Sequence, residues 1–521
     1  MQAPLLPLIS DYVAHHAQER AQQLFLWHEG KTYTYEEAVV AIDNCAKALL
    51  ARGVQKGDRV GFYGNPTPFF WIHFLATTSI GAIWMGLNPK YKREELGYVI
   101  SDAEPSLIFA QTEAGGTDRS DELAALAKSV DANFVPLGGA TDFVQRFEAL
   151  CAEGETVANG DLLSRRTDVD THDPAFLVYT SGSTGRPKGA LLSHYGENFC
   201  NIISVDRKGL DNRTCICNLP INHVGAIGDI CARMMVGGGT LYFQEAFDPA
   251  AMMRLIEQKK LNTWGAVPAV FQLCANSPVF DEVDLTSIDL IAWGGARMPR
   301  ELLATLMEKT GCTRCTTGYG MTETVGGVCY SRLEDDIDIL AETIGTPDPR
   351  QPLRLWHADD RPALPGEEGE IQVQGDFVMK AYWRRPDATA ETFTADGWMK
   401  TGDVAIVRPD GNLELVGRLS EMFKSGGYNV YPREVELAIE EIDGIVLAAV
   451  VAMEDPTFQE VGHAYVMTEP EAPQTEETII AFLRDRIANY KVPKQVTILA
   501  ELPMLPIGKV DKKKLKEMAA G

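Results

Sequence analysis

Tyr179-Thr180-Ser181-Gly182-Ser183-Thr184-Gly185-Arg186-Pro187-Lys188-Gly189 is the most informative stretch of the chain. It follows the apolar run Ala175–Val178, which reads as a strand, and leads into Ala190-Leu191-Leu192-Ser193-His194. Gly182, Gly185 and Gly189 open backbone conformations closed to residues that carry a Cβ. Thr180, Ser181, Ser183 and Thr184 add hydroxyls, and Lys188 adds a mobile positive charge. Together these groups can wrap a polyphosphate with N–H, O–H and ammonium donors. The spacing is not that of the ordinary nucleotide loop G-x-x-x-x-G-K-[ST], because Pro187 stands at the lysine position. No G-x-G-x-x-G follows a strand here, so a dinucleotide fold is unsupported. A flexible Ser/Gly linker would rarely embed Pro-Lys-Gly directly after a hydrophobic strand.

Upstream of this loop, helical patterns alternate with short apolar runs: Tyr35–Arg52 as a helix, Arg59–Tyr63 and Pro105–Ala110 as strands. Such alternation predicts layered α/β structure. The polar segment Glu153–Pro174 reads as a connector. Downstream, Leu290–Trp293 is a strand running into Gly294-Gly295. From about Glu367 the pattern changes to short strands with turn signals (Gly369–Gln374, Thr401–Arg408, Asp410-Gly411, Leu413–Val416), a small β-rich unit. The last hundred residues form a set of their own. Pro432 opens a helix through Glu434–Ile442, strands follow at Ile445–Met453 and Gly462–Thr468, and a second helix spans Thr478–Asn489. The predicted fold is α/β. A large N-terminal domain of layered α/β subdomains plus the small β-rich unit (1–419) precedes a smaller, mobile α+β C-terminal domain (420–521).

With 521 residues, the chain exceeds a single hydrophobic core. Its net charge of −25 argues against nucleic acid and against anionic membrane surfaces as partners. The N-terminus has no basic segment followed by an apolar run, so no signal peptide is expected. Phe69–Leu87 carries no formal charge, but His73, the Thr77-Thr78-Ser79 run and two glycines favour a buried core helix over a membrane span. The ten cysteines include only two close pairs, Cys215-x-Cys217 and Cys312-x-x-Cys315, without the second pair a zinc ribbon needs. Reduced thiols and a cytoplasmic location are expected.

The run YTSGSTGRPKG resembles the phosphate loop of the adenylate-forming (AMP-binding) superfamily, which includes acyl-CoA synthetases, peptide-synthetase adenylation domains and beetle luciferases. Four further family motifs follow in order. They are Gly318-Tyr319-Gly320-Met321-Thr322-Glu323; Thr401-Gly402-Asp403; Gly417-Arg418 with Gly426-Gly427-Tyr428-Asn429; and Pro506-Ile507-Gly508-Lys509-Val510. The resemblance covers the chain from about Tyr35 onward. It implies an acyl-CoA synthetase of the fatty-acid–CoA ligase type, acting on ATP, Mg²⁺, coenzyme A and a small-molecule carboxylic acid.

Each motif also has a chemical rationale. Tyr319 offers a flat face for adenine, and Glu323 a hard oxygen ligand for Mg²⁺. Asp403 can accept both hydrogen bonds of a ribose diol. By resemblance, Thr322 contacts the α-phosphate, Gly295-Ala296 lies along the adenine, and Arg418 reaches the ribose and phosphate. Lys509 is expected to carry the first half-reaction with Lys188, Thr322 and Glu323, because carboxylate attack on the α-phosphate concentrates negative charge. A lysine about 4 Å from that charge is worth on the order of 4 kcal/mol. The competing reading joins Lys509 to Lys512, Lys513, Lys514 and Lys516 in a solvated terminal helix. The resemblance further implies that the small domain rotates about Ser420, where relatives carry Asp or Lys. That rotation exchanges Lys509 for a coenzyme A loop at Lys424, Gly426, Gly427 and Tyr428.

For the acid, Asn222-His223-Val224-Gly225 stands where relatives place a residue at the mouth of the acyl pocket. Trp264, Val267, Phe271, Trp293 and Val325 are candidates either for its wall or for plain core. Ala226 and Ile227 follow the histidine where amino-acid-activating relatives hold an acid for the amine, so a fatty, branched, alicyclic or aromatic carboxylate is expected. The runner-up is an adenylate-forming enzyme that loads a separate carrier protein; a luciferase-like oxidase and a silent nucleotide sensor are weaker alternatives. A homodimer is compatible with the sequence; integral membrane association is not expected.

Overall fold

Strands Pro174–Thr180, Ile83–Leu87, Arg59–Tyr63 and Leu107–Ala110 lie side by side and parallel, with Phe134–Pro136 beyond them. Parallel strands covered on both faces read as continuous apolar runs, and all four residues of Leu107–Ala110 are buried. Lys188–Ser193 and Ala381–Tyr382 complete this seven-stranded sheet in antiparallel sense. The computed structural model describes residues 3–114, 116–139, 142–180, 186–469, 472–504 and 510–519. Two compact units emerge: residues 1–352 with 373–399, and residues 353–372 with 400–521.

The first unit has two further principal sheets. Thr263–Ala266, Leu290–Gly294 and Cys315–Met321 run parallel and continue antiparallel into Gly326–Tyr330 and Thr346–Pro347. A four-stranded sheet joins Thr214–Cys217, Thr240–Phe243, Leu24–His28 and Lys31–Thr34. The uncharged stretch after Phe69 divides into helix Pro68–Ser79, buried along its whole length, and strand Ile83–Leu87. Trp84 Nε1 donates to Nδ1 of its one histidine, His73, at 3.1 Å, while His73 Nε2 has no partner among the described residues, and burial pushes the His73 pKa down to about 3. No described helix is long and apolar enough to cross a membrane.

Local chemistry sets the helix that follows the phosphate-loop hairpin. Ser193 accepts a hydrogen bond from the Gly196 N–H at 3.1 Å, and Gly209 ends the helix His194–Lys208 at φ +62°. A π-helix, Gly225–Ala232, comes directly after His223-Val224. Such a bulge forces one extra residue into a turn and is common beside functional sites. One expectation fails here. The polar segment 153–174 is not a plain connector: it holds a short 3₁₀ turn, Glu153–Thr156, and helix Asn159–Thr167, whose only buried side chain is Leu162. One apolar anchor suffices to seat a helix that is otherwise solvated, which leaves little periodicity to read.

The second unit contains a five-stranded sheet ordered Arg361–Pro362, Leu353–His357, Gly369–Val373, Met399–Val407 and Leu413–Arg418. The small β-rich unit thus groups with the C-terminal elements. A second sheet orders Tyr428–Val430, Phe423–Ser425, Gln459–Thr468 and Ile445–Asp455, with Gln495–Ile498 against Gln459–Thr468. Helices Pro432–Glu440 and Glu476–Arg484 bury Val435, Ile439, Ile479 and Leu483 in one core with Val450 and Val466. The latter helix stops short of the expected Asn489. Helix Lys512–Ala519 is not simply a solvated lysine run, because Lys512 Nζ lies 2.5 Å from Glu421 Oε2 and 2.8 Å from Glu436 Oε1.

Candidate active site

Strands Pro174–Thr180 and Lys188–Ser193 form a hairpin in which Thr180 is registered opposite Lys188. The residues that flank the glycine-rich run, Thr180 and Lys188, thus share one ladder. Tyr98 reinforces the far end, its hydroxyl donating to the Pro187 carbonyl at 3.0 Å. Ser181, Gly182, Ser183, Thr184 and Gly185 lie outside the described residues, as does Lys509. Arg186, Lys188, Arg384 and Arg385 are among the residues lining a cavity of about 480 Å³. Asp387 and Glu391 also line it, and Arg384 and Arg385 are paired with Glu104 and Asp102, so Arg186 and Lys188 are the lining cations left for a polyanion.

Glu323 and Lys188, distant in sequence, meet through one side chain. Tyr382 donates its hydroxyl to Glu323 Oε1 at 2.7 Å, and Lys188 Nζ stands 5.2 Å from the centre of the same ring. Glu323 is buried, sits on the 3₁₀ turn Thr322–Thr324, and has no partner for its second oxygen among the described residues. A backbone bond from Met379 N–H to Glu323 O at 2.8 Å fixes the turn. Tyr382 belongs to none of the motifs read from sequence; an aromatic on a two-residue strand gives no signal of this role.

The Gly318-Tyr319-Gly320 strand lies beside the Leu290–Gly294 strand, with Gly294 registered opposite Gly318. Gly295 follows at φ +79°, exposed together with Ala296 at the carboxyl end of these parallel strands, where α/β sheets bind ligands. Tyr319 is buried beside them. Gly320 is required by close approach: a Cβ there would lie 1.9 Å from the Gly326 carbonyl oxygen.

The Gly225 N–H donates to His223 Nδ1 at 2.9 Å, which places the proton of the neutral ring on Nε2. Asn222 Nδ2 donates to the Tyr91 hydroxyl at 2.7 Å. Val224 and Val325 are buried, and Val325 holds an unusual left-handed backbone at φ +64° for a β-branched residue. Val267 approaches Gly295, 3.9 Å from the position its Cβ would take. Trp293, with Trp264 and Phe271, lies in the hydrophobic core of this unit.

In the second unit, Asp403 and Arg418 face each other across adjacent strands. Arg418 Nε donates to Asp403 Oδ1 at 2.6 Å; the carboxylate is buried and the guanidinium half exposed. Ser420 lies in an exposed turn between Leu413–Arg418 and Phe423–Ser425. Gly426 and Gly427, at φ +57° and +88°, close a two-residue hairpin after Lys424. Tyr428 stacks on Tyr490 with centroids 4.6 Å apart.

The AMP-binding enzyme family matches residues 13–383, and the AMP-binding enzyme C-terminal domain matches residues 434–509. Feruloyl-CoA synthase from an Amycolatopsis species is 35% identical over 488 residues, covering 93% of either chain. A 3-[(3aS,4S,7aS)-7a-methyl-1,5-dioxo-octahydro-1H-inden-4-yl]propanoyl:CoA ligase from Mycobacterium tuberculosis is 32% identical over 496 residues, 94% of each chain. Among solved structures, ATP-bound MatB from Rhodopseudomonas palustris superposes with a TM-score of 0.82 at 27% identity, covering 98% of each chain. The chain belongs to the AMP-binding, adenylate-forming enzymes, as an acyl-CoA ligase that uses ATP to join a carboxylic acid to coenzyme A through an acyl-adenylate.

Proposed function

We propose that the acid activated by this ligase is a rigid aromatic or alicyclic monocarboxylate, and that the nucleotide is taken up by the Lys188–Tyr382–Glu323 group. The observation that carries the nucleotide reading is the single tyrosine holding a carboxylate at 2.7 Å and a lysine over its ring. The acid reading is supported by the names of three relatives, which specify feruloyl, methyl-dioxo-octahydroindenyl-propanoyl and indoleacetate substrates; a further relative is named a long-chain-fatty-acid–CoA ligase, so straight chains belong in the test.

Lys188 draws the terminal phosphates, while Tyr319 and Gly295-Ala296 take the adenine and Asp403 with Arg418 the ribose. Glu323 keeps one carboxylate oxygen without a partner among the described residues, a hard donor that fits Mg²⁺, which takes one or two protein carboxylates plus substrate phosphates. Bound there, the ion would neutralise phosphate charge. The acid's carboxylate attacks the α-phosphorus, pyrophosphate leaves, and Lys509 offsets the charge that develops. The thiolate of coenzyme A, admitted along Lys424 and Gly426-Gly427-Tyr428 after rotation at Ser420, then attacks the acyl carbonyl and AMP departs. Ten unpaired thiols fit a reducing, cytoplasmic setting.

The test combines protein, ATP, Mg²⁺ and a panel of aromatic, alicyclic and straight-chain acids, with and without coenzyme A. Coenzyme A-dependent AMP release, greatest for a ring-bearing acid, is expected. Preference for straight-chain acids refutes the substrate reading.

A further inference from the structure

Helix His194–Lys208 carries polar side chains at Glu197, Asn201, Ser204 and Lys208. At about 100° per residue these four fall within an arc of about 60°. A surface helix would turn such a face to water. Here all four are buried, Glu197 completely and Lys208 with 4% exposure. The face meets the π-helix and the glycine-rich strands of the active site. A Cβ on Gly228 would lie 3.1 Å from Glu197 Oε1 and 3.4 Å from the Val325 carbonyl, and one on Gly318 would lie 3.2 Å from Lys208 Nζ. Gly228 stands five residues beyond His223, and Val325 two beyond Glu323.

This stripe is poorly satisfied. Asn201 Nδ2 donates to Glu197 Oε1 at 3.0 Å, yet Glu197 Oε2 and Ser204 Oγ have no partner among the described residues. Nor does Lys208 Nζ make a hydrogen bond or ion pair among them; its contact is the face of Tyr330, 5.9 Å away. Buried polar atoms are nearly always paired, so two orphans on one face, Glu197 Oε2 and Ser204 Oγ, call for partners from outside the chain. The surroundings set the charge of such a partner. Burial raises the Glu197 pKa to about 8, leaving a neutral carboxylic acid at pH 7, and lowers that of Lys208 to about 7. Arg233 is matched by Asp229.

We propose that Glu197, through its unpartnered Oε2, forms a specificity subsite that hydrogen-bonds an uncharged polar substituent, a hydroxyl or keto oxygen, at the end of the acid remote from its carboxylate. This rests on the ring-bearing acid reading above. Glu197 donates or accepts as the substituent requires, and an acid lacking the substituent leaves Glu197 Oε2 unpaired.

The experiment measures acid-dependent pyrophosphate release for pairs of acids that differ only by a ring hydroxyl or keto oxygen, in the arylpropenoic, indolyl and alicyclic propanoic series. In the series that reacts, the substituted acid should exceed its partner in kcat/KM by about tenfold or more, because a site built to bond a hydroxyl rejects the analogue without one. Glu197→Leu should reverse this order, lowering kcat/KM for the substituted acid and raising it for the plain one, while Glu197→Gln keeps the wild-type order. Equal kcat/KM for both members in the wild-type enzyme overturns the subsite, whether or not the variants fold; so does an unchanged order in Glu197→Leu. Silence with every ring-bearing acid but turnover of straight chains overturns instead the substrate reading on which it stands.

Discussion

Replacing Tyr382 by Phe removes one oxygen from the proposed nucleotide site and nothing else. The lost bond, 2.7 Å from Tyr382 hydroxyl to Glu323 Oε1, ends on a buried carboxylate. Hydrogen bonds to charged groups contribute about 1.5–3 kcal/mol. The ring persists, so the Lys188 contact at 5.2 Å is retained and its contribution of about 0.5–1 kcal/mol is not at stake. If the bond serves to position Glu323 for the nucleotide, Tyr382→Phe should lower kcat/KM for ATP by about 10- to 150-fold in acid-dependent ATP–pyrophosphate exchange. Thiolysis of supplied acyl-AMP, which needs no triphosphate, should change by less than threefold. Tyr382→Ala should be worse in exchange, because the ring under Lys188 goes too. Exchange within twofold of wild type in a folded Tyr382→Phe enzyme would refute the reasoning, and equal loss in both half-reactions would assign Tyr382 a merely structural role.

Three further outcomes are expected. Lys509→Ala should nearly abolish ATP–pyrophosphate exchange while sparing thiolysis of acyl-AMP, and equal loss of both would remove Lys509 from the first step. Ser420→Pro, in the exposed turn after Arg418, should impair one half-reaction and leave the other; wild-type rates in both would place the hinge elsewhere. Burial holds the Lys208 pKa near 7 against an ordinary 10.5, so between those values the unfolded chain binds more protons than the folded one and this group's contribution to stability rises with pH. Lys208→Met should therefore gain most over wild type in urea unfolding at pH 6 and less at pH 9, and a gain independent of pH would contradict the burial argument.

Much of the scaffold was legible because it is written in local terms. Apolar runs bounded by glycine marked Arg59–Tyr63 and Leu290–Gly294 within a residue, and Pro432 marked the start of its helix. The glycine-rich run was conspicuous because its glycines, hydroxyls and lysine fall within eleven consecutive residues, Tyr179–Gly189. What escaped is what the fold assembles from far apart. Tyr382 and Glu323 are 59 residues apart and share no motif. The face of helix His194–Lys208 shows the polar periodicity of a solvated helix, and only the π-helix and glycine strands around it turn that face inward. Lys512 looks like one more solvated lysine in the sequence, but Glu421 and Glu436 both lie within salt-bridge distance of it. A pattern records which residues are polar, and their partners depend on tertiary structure.

The claim on which the account depends is that the acid's own oxygen bonds to the α-phosphorus. Supplying a turned-over acid labelled with ¹⁸O in its carboxylate, together with ATP and coenzyme A, and weighing the products by mass spectrometry tests it directly. One ¹⁸O should appear in AMP and none in pyrophosphate; unlabelled AMP, or label in pyrophosphate, would contradict the acyl-adenylate route.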